Sequence, residues 1–176
     1  MVRKVLIATD GSDTAMRAVD VGADLAAKSG VPVVLVHVYL RDHLSEGLRH
    51  MAEVEYDAAE GGNRLFAALS SLPHARFPQA DLLPEHATSE DRVLSAVARS
   101  VLDAAERAAH EHGVRDVERV TDDGDPARRI VEAAEETGAD MIVTGARGLS
   151  DLKSAVFGSV SHKVQHLSPV TVVTVR

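Results

Sequence analysis

The sequence predicts an α/β domain in which helices cover both faces of a parallel β-sheet. Two observations carry this prediction: short apolar runs rich in β-branched residues recur along the chain, and segments with helical periodicity separate them. Strands that alternate with helices in this way connect in parallel. With 176 residues, 45% of them hydrophobic, the chain can bury one sizeable core, so we expect a single domain over residues 1–176.

Five segments are predicted to be strands. They span residues 5–8, 31–38, 114–120, 140–144 and 170–175. The first, second and fourth are apolar runs typical of buried strands, and the last is a β-branched run after Pro169. The third alternates Val117 and Val120 with charged residues, so we expect a half-exposed strand at an edge of the sheet.

Turn and cap residues mark the helices. Apolar residues at helical spacing run from Ala15 to Ala26, and Gly30 supplies a left-handed stop. Asp125 is a predicted N-cap, Pro126 occupies the first helical position, and Gly138 follows the end of that helix. A longer helix is predicted from residue 88 to residue 112, with one apolar stripe: Val93, Leu94, Val97, Val101, Ala104, Ala105 and Ala108. The last helix follows Gly158 and carries Val160, Val164 and Leu167 on one face.

Residues 39–87 interrupt this alternation after the second predicted strand. A connection of this length is normally functional or partly disordered. It holds four of the five aromatic residues of the chain: Tyr39, Tyr56, Phe66 and Phe77. We therefore expect an inserted helical segment, with helices near residues 44–60 and 62–71, that buries these aromatics on the sheet edge. A lid and a partner surface are the alternatives.

Composition excludes several classes of function. The chain has 19 Lys and Arg against 27 Asp and Glu, a net charge of −8, and lacks the basic surface that holds nucleic acid or anionic membranes. It has no cysteine, which excludes disulfides, thiolate metal sites and cysteine nucleophiles. The apolar run at the N-terminus is too short for a signal peptide. We expect a soluble cytoplasmic protein that binds neither nucleic acid nor membranes.

A glycine-punctuated segment near the C-terminus points to an anion site. Gly145, Gly148 and Gly158-Ser159 follow the spacing G-x2-G-x9-G-S. Glycines let a backbone turn closely around a ligand, and the free N–H groups of a helix start attract anions. Four bases and one acid lie in the last 30 residues: Arg147, Lys153, Lys163 and Arg176, with Asp151. This local positive charge favours phosphate.

Topology predicts a second component of this site. Ligands of open parallel sheets bind beyond the carboxyl ends of the strands, where the strand order reverses. If the first and fourth strands are neighbours there, Asp10 faces Gly145 across one crevice.

Three motifs together resemble the universal stress protein family, nucleotide-binding type. They are ATDGS at residues 8–12, GDP at residues 124–126, and the G-x2-G-x9-G-S segment. The resemblance covers residues 2–38 and 88–176 but not the insertion. It implies a five-stranded parallel sheet of order 3-2-1-4-5, a homodimer formed through the last strand (residues 170–175), and ATP binding. ADP, AMP or a cyclic nucleotide in place of ATP, and the identity of a protein partner, stay open.

The resemblance also implies roles for individual residues. Ala8, Thr9 and Asp10 would contact the nucleoside, or Mg2+ or Mn2+ bound to the nucleotide, so that Asp10 acts on the metal only indirectly. Val38 would offer backbone groups to adenine. Gly145 and Gly148 would flank the ribose and phosphates, with Arg147 beside them at a position that varies in the family. The phosphate tail would be held by Gly158, Ser159, Val160 and Ser161.

Other motifs give weaker or negative signals. The sequence contains no G-x4-G-K-S/T loop and no G-x-G-x-x-G after the first strand. Asp122 to Asp125 lack the spacing of a calcium loop and are predicted to form a turn and a helix cap. His162 and His166 have the spacing of a metal-ligand pair without a third ligand, so a surface face is favoured. His37, within a buried strand, is predicted to be a core or edge histidine with its polar atoms satisfied.

Three functions are compatible with the sequence. We favour an ATP-binding stress-response module with little or no hydrolysis, because neither a general base nor an activating lysine is evident. The first alternative is a Mg-dependent enzyme that hydrolyses ATP or transfers a nucleotidyl group, with Asp10 at the metal and the insertion as a lid. The second is a nucleotide-independent interaction domain whose aromatic insertion is the functional surface.

Overall fold

A computed structural model describes residues 2–39, 89–148 and 158–176, and the side chains of the first helix in the second range from residue 94 onward. The chain divides into two compact units: Met1–Tyr39 with Val101–Arg176, and Leu40–Ser100. Of the second unit, the described residues form the first half of a helix, with Leu94, Ala98 and Ser100 buried. Tyr39, the first residue of the predicted insertion, is the last residue of the second strand. The rest of the insertion and its two predicted helices lie outside the described residues, and the single-domain boundary stays a prediction.

Nine elements alternate along the described chain. The strands are β1 (Val5–Ala8), β2 (Val33–Tyr39), β3 (Val117–Asp123), β4 (Met141–Gly145) and β5 (Thr171–Val175). The helices are α1 (Asp13–Ser29), α2 (Ser89–Glu111), α3 (Pro126–Thr137) and α4 (Ser159–Leu167). All neighbouring strands pair in parallel in the order β3-β2-β1-β4-β5, which confirms the predicted sheet.

Two hydrophobic clusters lie on opposite faces of the sheet. Along β1, Val5 and Ile7 belong to one cluster with residues of α1 and the second half of α2, whereas Leu6 and Ala8 belong to the other with residues of α3 and α4. Successive strand residues point to opposite faces, so a central strand needs apolar side chains at every position. The predicted placement of helices on both faces is confirmed.

The third strand begins later than predicted, at Val117 instead of residue 114. Val114 is buried, and its N–H donates to the Ala109 carbonyl at 3.1 Å, while the Gly113 N–H donates to His110 O at 2.9 Å. These two bonds form the helix-ending motif in which the residue after a left-handed glycine packs back on the helix. Val114 therefore closes α2 instead of opening β3.

The buried stripe of α2 also differs from the prediction. The buried apolar residues are Leu94, Ala98, Leu102, Ala105 and Ala109. Of the predicted stripe, Leu94 and Ala105 are among them, while Val97, Val101, Ala104 and Ala108 are half-buried. The apolar face of this helix is wider than the part of it that is buried. The periodicity therefore predicts which side of the helix is apolar but not which of these residues are most buried.

Candidate functional site

The carboxyl ends of β1 and β4 lie side by side at the centre of the sheet. Ala8 is in register with Thr144, so the loops that leave both strands start together. A side chain added at Gly148 would collide with the Asp10 carboxylate, through its Oδ2 atom. The structure therefore brings Asp10 next to the glycine segment, and the glycine that it meets is Gly148, whereas the prediction named Gly145.

Local hydrogen bonds fix the loop between β1 and α1. The Ser12 N–H donates to Asp10 Oδ1 at 3.0 Å, and the Gly11 N–H donates to Thr9 Oγ1 at 3.2 Å. The N-cap of α1 is Ser12, whose hydroxyl accepts from the Ala15 N–H at 3.3 Å. Asp10 is thus not the helix cap, and its side chain is held at the mouth of the crevice by an Asx turn.

Packing, not backbone dihedrals, explains the glycines of the last loop. A Cβ at Gly145 would lie 3.0 Å from backbone atoms of Thr14 and Ala15 at the start of α1. A Cβ at Gly158 would lie 3.3 Å from Ala146 O. At both positions a larger residue would push neighbouring backbone apart, so glycine permits the close approach.

Ala146 joins the two ends of this loop. Its N–H donates to Val175 O at 2.6 Å, and its carbonyl accepts from the Gly158 N–H at 2.6 Å. The Ser161 hydroxyl is also within 3.1 Å of Ala146 O and 3.0 Å of Gly158 O. Ser161 is buried, and its hydroxyl is used inside the protein.

The N-terminus of α4 differs from those of α1 and α3. Its N-cap is Gly158, with no side-chain hydrogen bond to the first turn, whereas Ser12 and Asp125 cap the other two helices. The first N–H groups of a helix carry partial positive charge and need acceptors. The start of α4, with exposed Ser159 and half-buried Val160, can therefore receive an anionic group.

The end of β2 lines the other side of the crevice. The Thr9 N–H donates to Val36 O at 3.0 Å, so Val36 directs its backbone polar groups towards β1. Backbone groups of alternate strand residues point to the same neighbour, so Val38 directs its N–H and C=O to that side as well. Since β1 ends at Ala8, these groups lie beyond the last residue of that strand.

Two polar residues at this edge were not among the predicted site residues. Thr144 is 4% exposed, and its hydroxyl has no hydrogen-bond partner within the described structure. His37 is buried beside Thr9, with Nδ1 2.9 Å from the Thr9 carbonyl oxygen. Their only sequence signal is a polar residue in an otherwise apolar buried strand. Arg147, a predicted phosphate contact, is exposed, and Lys153 lies outside the described residues.

The remaining candidates have structural roles. Asp125 caps α3 through the Arg128 N–H at 3.0 Å and accepts from Lys163 Nζ at 2.5 Å; these bonds, that of Lys163 above all, lower the pKa of the Asp125 carboxyl. His162 and His166 are exposed, with ring centroids 4.6 Å apart.

In the described ranges no group of three or more His, Asp or Glu side chains could hold a metal ion. None of the helices in the same ranges is long and apolar enough to cross a membrane.

These features define an open parallel α/β domain in which Asp10 and the glycine segment meet at the carboxyl edge of the sheet. Residues 1–176 match the model of the universal stress protein family, and the chain belongs to that family. It is 32% identical to the universal stress protein YxiE of Bacillus subtilis, over the full length of both chains.

Solved structures share the fold. The chain is similar to a universal stress protein in complex with cAMP, with 24% identity, a TM-score of 0.61, and coverage of 99% of this chain and 97% of that one. It is also similar to the universal stress protein from Archaeoglobus fulgidus in complex with dAMP, with 21% identity, a TM-score of 0.57, and coverage of 100% and 98%. At these identities the likeness establishes the fold.

Proposed function

We propose that this protein binds ATP at the carboxyl edge of its sheet and acts as a nucleotide-responsive regulatory module in the stress response. The observation that carries the proposal is the uncapped start of α4, positioned by Ala146 beside the loop that holds Asp10. The N–H groups at a helix start suit a phosphate chain. The glycines let the last loop pack closely on α1 and Asp10, which brings the segments of the proposed site together.

Each predicted residue has a role in this proposal. The phosphates contact the backbone of Gly158, Ser159, Val160 and Ser161, with Arg147 at the rim. Gly145 and Gly148 flank the ribose and phosphates, and the backbone groups of Val38 face adenine. Ala8, Thr9 and Asp10 form the opposite wall.

The donor set of the crevice fits a nucleotide. It combines helix N–H groups for phosphate, the backbone N–H and C=O of Val38 for a base edge, and the Thr144 hydroxyl, which lacks a partner in the described structure. Two structural neighbours are complexes with the adenine nucleotides cAMP and dAMP, which supports this ligand class. ADP and AMP would use the same wall of the crevice with fewer phosphate contacts.

Mg2+ or Mn2+ would enter with the nucleotide. Asp10 supplies the carboxylate at the mouth of the crevice, and hard cations prefer oxygen ligands and retain several waters. Asp10 would then act on the metal through the nucleotide, as a charge partner of the phosphate-bound ion.

The proposal includes slow or absent hydrolysis. Lys163 lies on the helix that starts at the phosphate site, but it is bound to Asp125 on the outside of α3. Phosphoryl transfer needs groups that position the nucleophile and neutralise charge in the transition state. Turnover well above about one per minute, lost in Asp10→Ala, would contradict this part of the proposal.

We further propose a cytoplasmic homodimer that presents its nucleotide state to a protein partner. β5 is the edge strand next to β4, and an exposed edge offers unpaired backbone groups to another strand. An open groove runs along it, lined by Gln165, Val170, Val172, Thr174 and Arg176. This groove is separate from the crevice. A monomer of the wild type in sedimentation experiments at micromolar concentration would contradict the dimer.

The test of nucleotide binding is the melting temperature with and without millimolar Mg-ATP, after removal of any co-purified nucleotide. Binding to the folded state raises the melting temperature by mass action. We expect a rise in the wild type and none in Gly158→Asp, which puts a carboxylate at the phosphate position. Gln165→Glu makes the same charge change near the other end of α4 and should keep the rise. No rise in the wild type would favour the nucleotide-independent interaction domain.

A further inference from the structure

His37 is a buried titratable residue to which the proposed nucleotide contacts assign no task. It lies in β2, one residue before Val38, and is 7% exposed. Its ring meets the Tyr39 ring edge-on, with centroids 5.9 Å apart and an interplanar angle of 83°. Burial and the contact with Tyr39 restrict the orientation of the imidazole ring, and this orientation determines which group its nitrogen contacts.

The partner of His37 determines which ring nitrogen carries the proton. Nδ1 lies 2.9 Å from the Thr9 carbonyl oxygen, and a carbonyl can only accept. Nδ1 is therefore the donor, and burial lowers the pKa of His37, which keeps the ring neutral at neutral pH. The neutral ring has one hydrogen, so Nε2 is unprotonated.

This hydrogen bond fixes the residue that precedes Asp10. Both backbone polar groups of Thr9 bond to β2. The Thr9 N–H donates to Val36 O at 3.0 Å, and the Thr9 carbonyl accepts from the His37 side chain. A Thr9 carbonyl occupied by the imidazole no longer requires a backbone donor from β2. The backbone of Val38 can then serve a ligand.

We propose that His37 is a positioning residue of the crevice: its Nδ1–H holds the Thr9 carbonyl, which orients Asp10 and leaves the Val38 backbone to the ligand. This inference rests on the proposed nucleotide binding. His37 itself does not touch the nucleotide; it acts through the Thr9 peptide and the end of β2.

Two substitutions separate the hydrogen bond from the bulk of the side chain. In His37→Asn, the amide nitrogen can occupy the place of Nδ1 and donate to Thr9. In His37→Leu, a methyl group occupies that place and cannot donate. We expect Mg-ATP to bind His37→Asn with a dissociation constant within about threefold of the wild type, and His37→Leu at least tenfold more weakly, by titration calorimetry. His112→Leu, at an exposed histidine paired with Asp20, is the control and should bind as the wild type does.

Nuclear magnetic resonance supplies a readout that needs no nucleotide. The imidazole of His37 should show the Nδ1–H tautomer, and the Gly11 and Ser12 amide signals should move in His37→Leu but not in His37→Asn. A Nε2–H tautomer in the wild type overturns the proposal even if His37→Leu fails to fold. So does equal affinity of the wild type and a folded His37→Leu, or an equal loss in both variants. If the wild type binds no Mg-ATP, nucleotide binding fails, and the amide shifts still decide whether His37 orients the loop.

Discussion

The amino and carboxyl ends of the strands, here called the amino edge and the carboxyl edge of the sheet, differ in how their polar groups are hydrogen-bonded. At the amino edge, Asp140 precedes β4 and accepts from the Arg3 N–H at 3.1 Å and the Lys4 N–H at 3.3 Å, while Lys4 Nζ donates to Thr137 O at 2.8 Å. At the carboxyl edge, α4 starts without a side-chain cap and the Thr144 hydroxyl has no partner in the described structure. These polar groups of the amino edge are hydrogen-bonded to one another, whereas the carboxyl edge has a helix start without a side-chain cap and a hydroxyl without a partner in the described structure.

The largest effect should come from Gly148→Ala. The new Cβ would collide with the Asp10 carboxylate, so the loop or Asp10 must shift at the mouth of the crevice. We expect Mg-ATP affinity to fall at least tenfold, or about 1.4 kcal/mol, by calorimetry. The matched control is Gly138→Ala, at a left-handed helix end with no atom within 4 Å of the new Cβ. It should lower unfolding free energy by about 1 kcal/mol and leave affinity unchanged.

The second-largest effect is expected from removing the helix cap Asp125. Asp125→Ala deletes the N-cap of α3 and should lower the free energy of unfolding by about 1 kcal/mol in urea titration. Nucleotide affinity should not change, because Asp125 caps α3 and not α4. Asp125→Asn retains an acceptor for the Arg128 N–H and should recover most of the loss. A full loss in both variants would show that the charge, and not the cap, is responsible.

As the pH falls, the stabilisation contributed by His37 at the carboxyl edge should be lost at a higher pH than that contributed by Asp140 at the amino edge. Burial lowers the pKa of His37, while the hydrogen bond with Thr9 and the charge of Asp10 oppose this shift. The unfolded chain therefore binds this proton more readily, and stability falls as pH drops below about 6.5. At pH 6 this loss is less than about 1 kcal/mol. Hydrogen bonds from Arg3 and Lys4 lower the pKa of Asp140, whose stabilisation is lost only below about pH 3.9.

Melting temperatures at pH 7.5 and pH 6 test this difference between the edges. The wild type should lose more stability over this interval than His37→Asn, which has no titrating ring in β2. Asp140→Asn should lose as much as the wild type, since its contribution does not change in that interval. Equal losses in the wild type and His37→Asn would mean that His37 does not titrate differently on folding.

The smallest effect should come from Lys163→Met. Its ion pair with Asp125 lies at the surface, with 46% and 42% of the two side chains exposed, and such pairs contribute roughly 0.2–0.5 kcal/mol. Urea titration should detect little change in stability, and the difference should vanish at 1 M salt. A loss above about 1 kcal/mol would show that the pair fixes α4 relative to α3.

Much of the fold was predictable because it depends on local patterns. The β1 run, the Gly30 and Gly138 stops, and the Asp125-Pro126 start of α3 were all confirmed. The predicted start of β3 was wrong because Val114, although β-branched, bonds back to Ala109 at the end of α2. The order of the strands came from a family resemblance, since periodicity does not say which strands are neighbours.

The sequence alone determined the glycine spacing, the caps and the apolar faces, because these follow from the dihedral and burial preferences of single residues. Only the tertiary structure placed the Asp10 carboxylate against Gly148, 138 positions away in the chain. It alone also decided that the Ser161 hydroxyl is used internally, that Thr144 lacks a partner in the described structure, and that His37 holds Thr9. The physical reason is that hydrogen bonds between distant segments depend on register and loop closure, which no local pattern encodes.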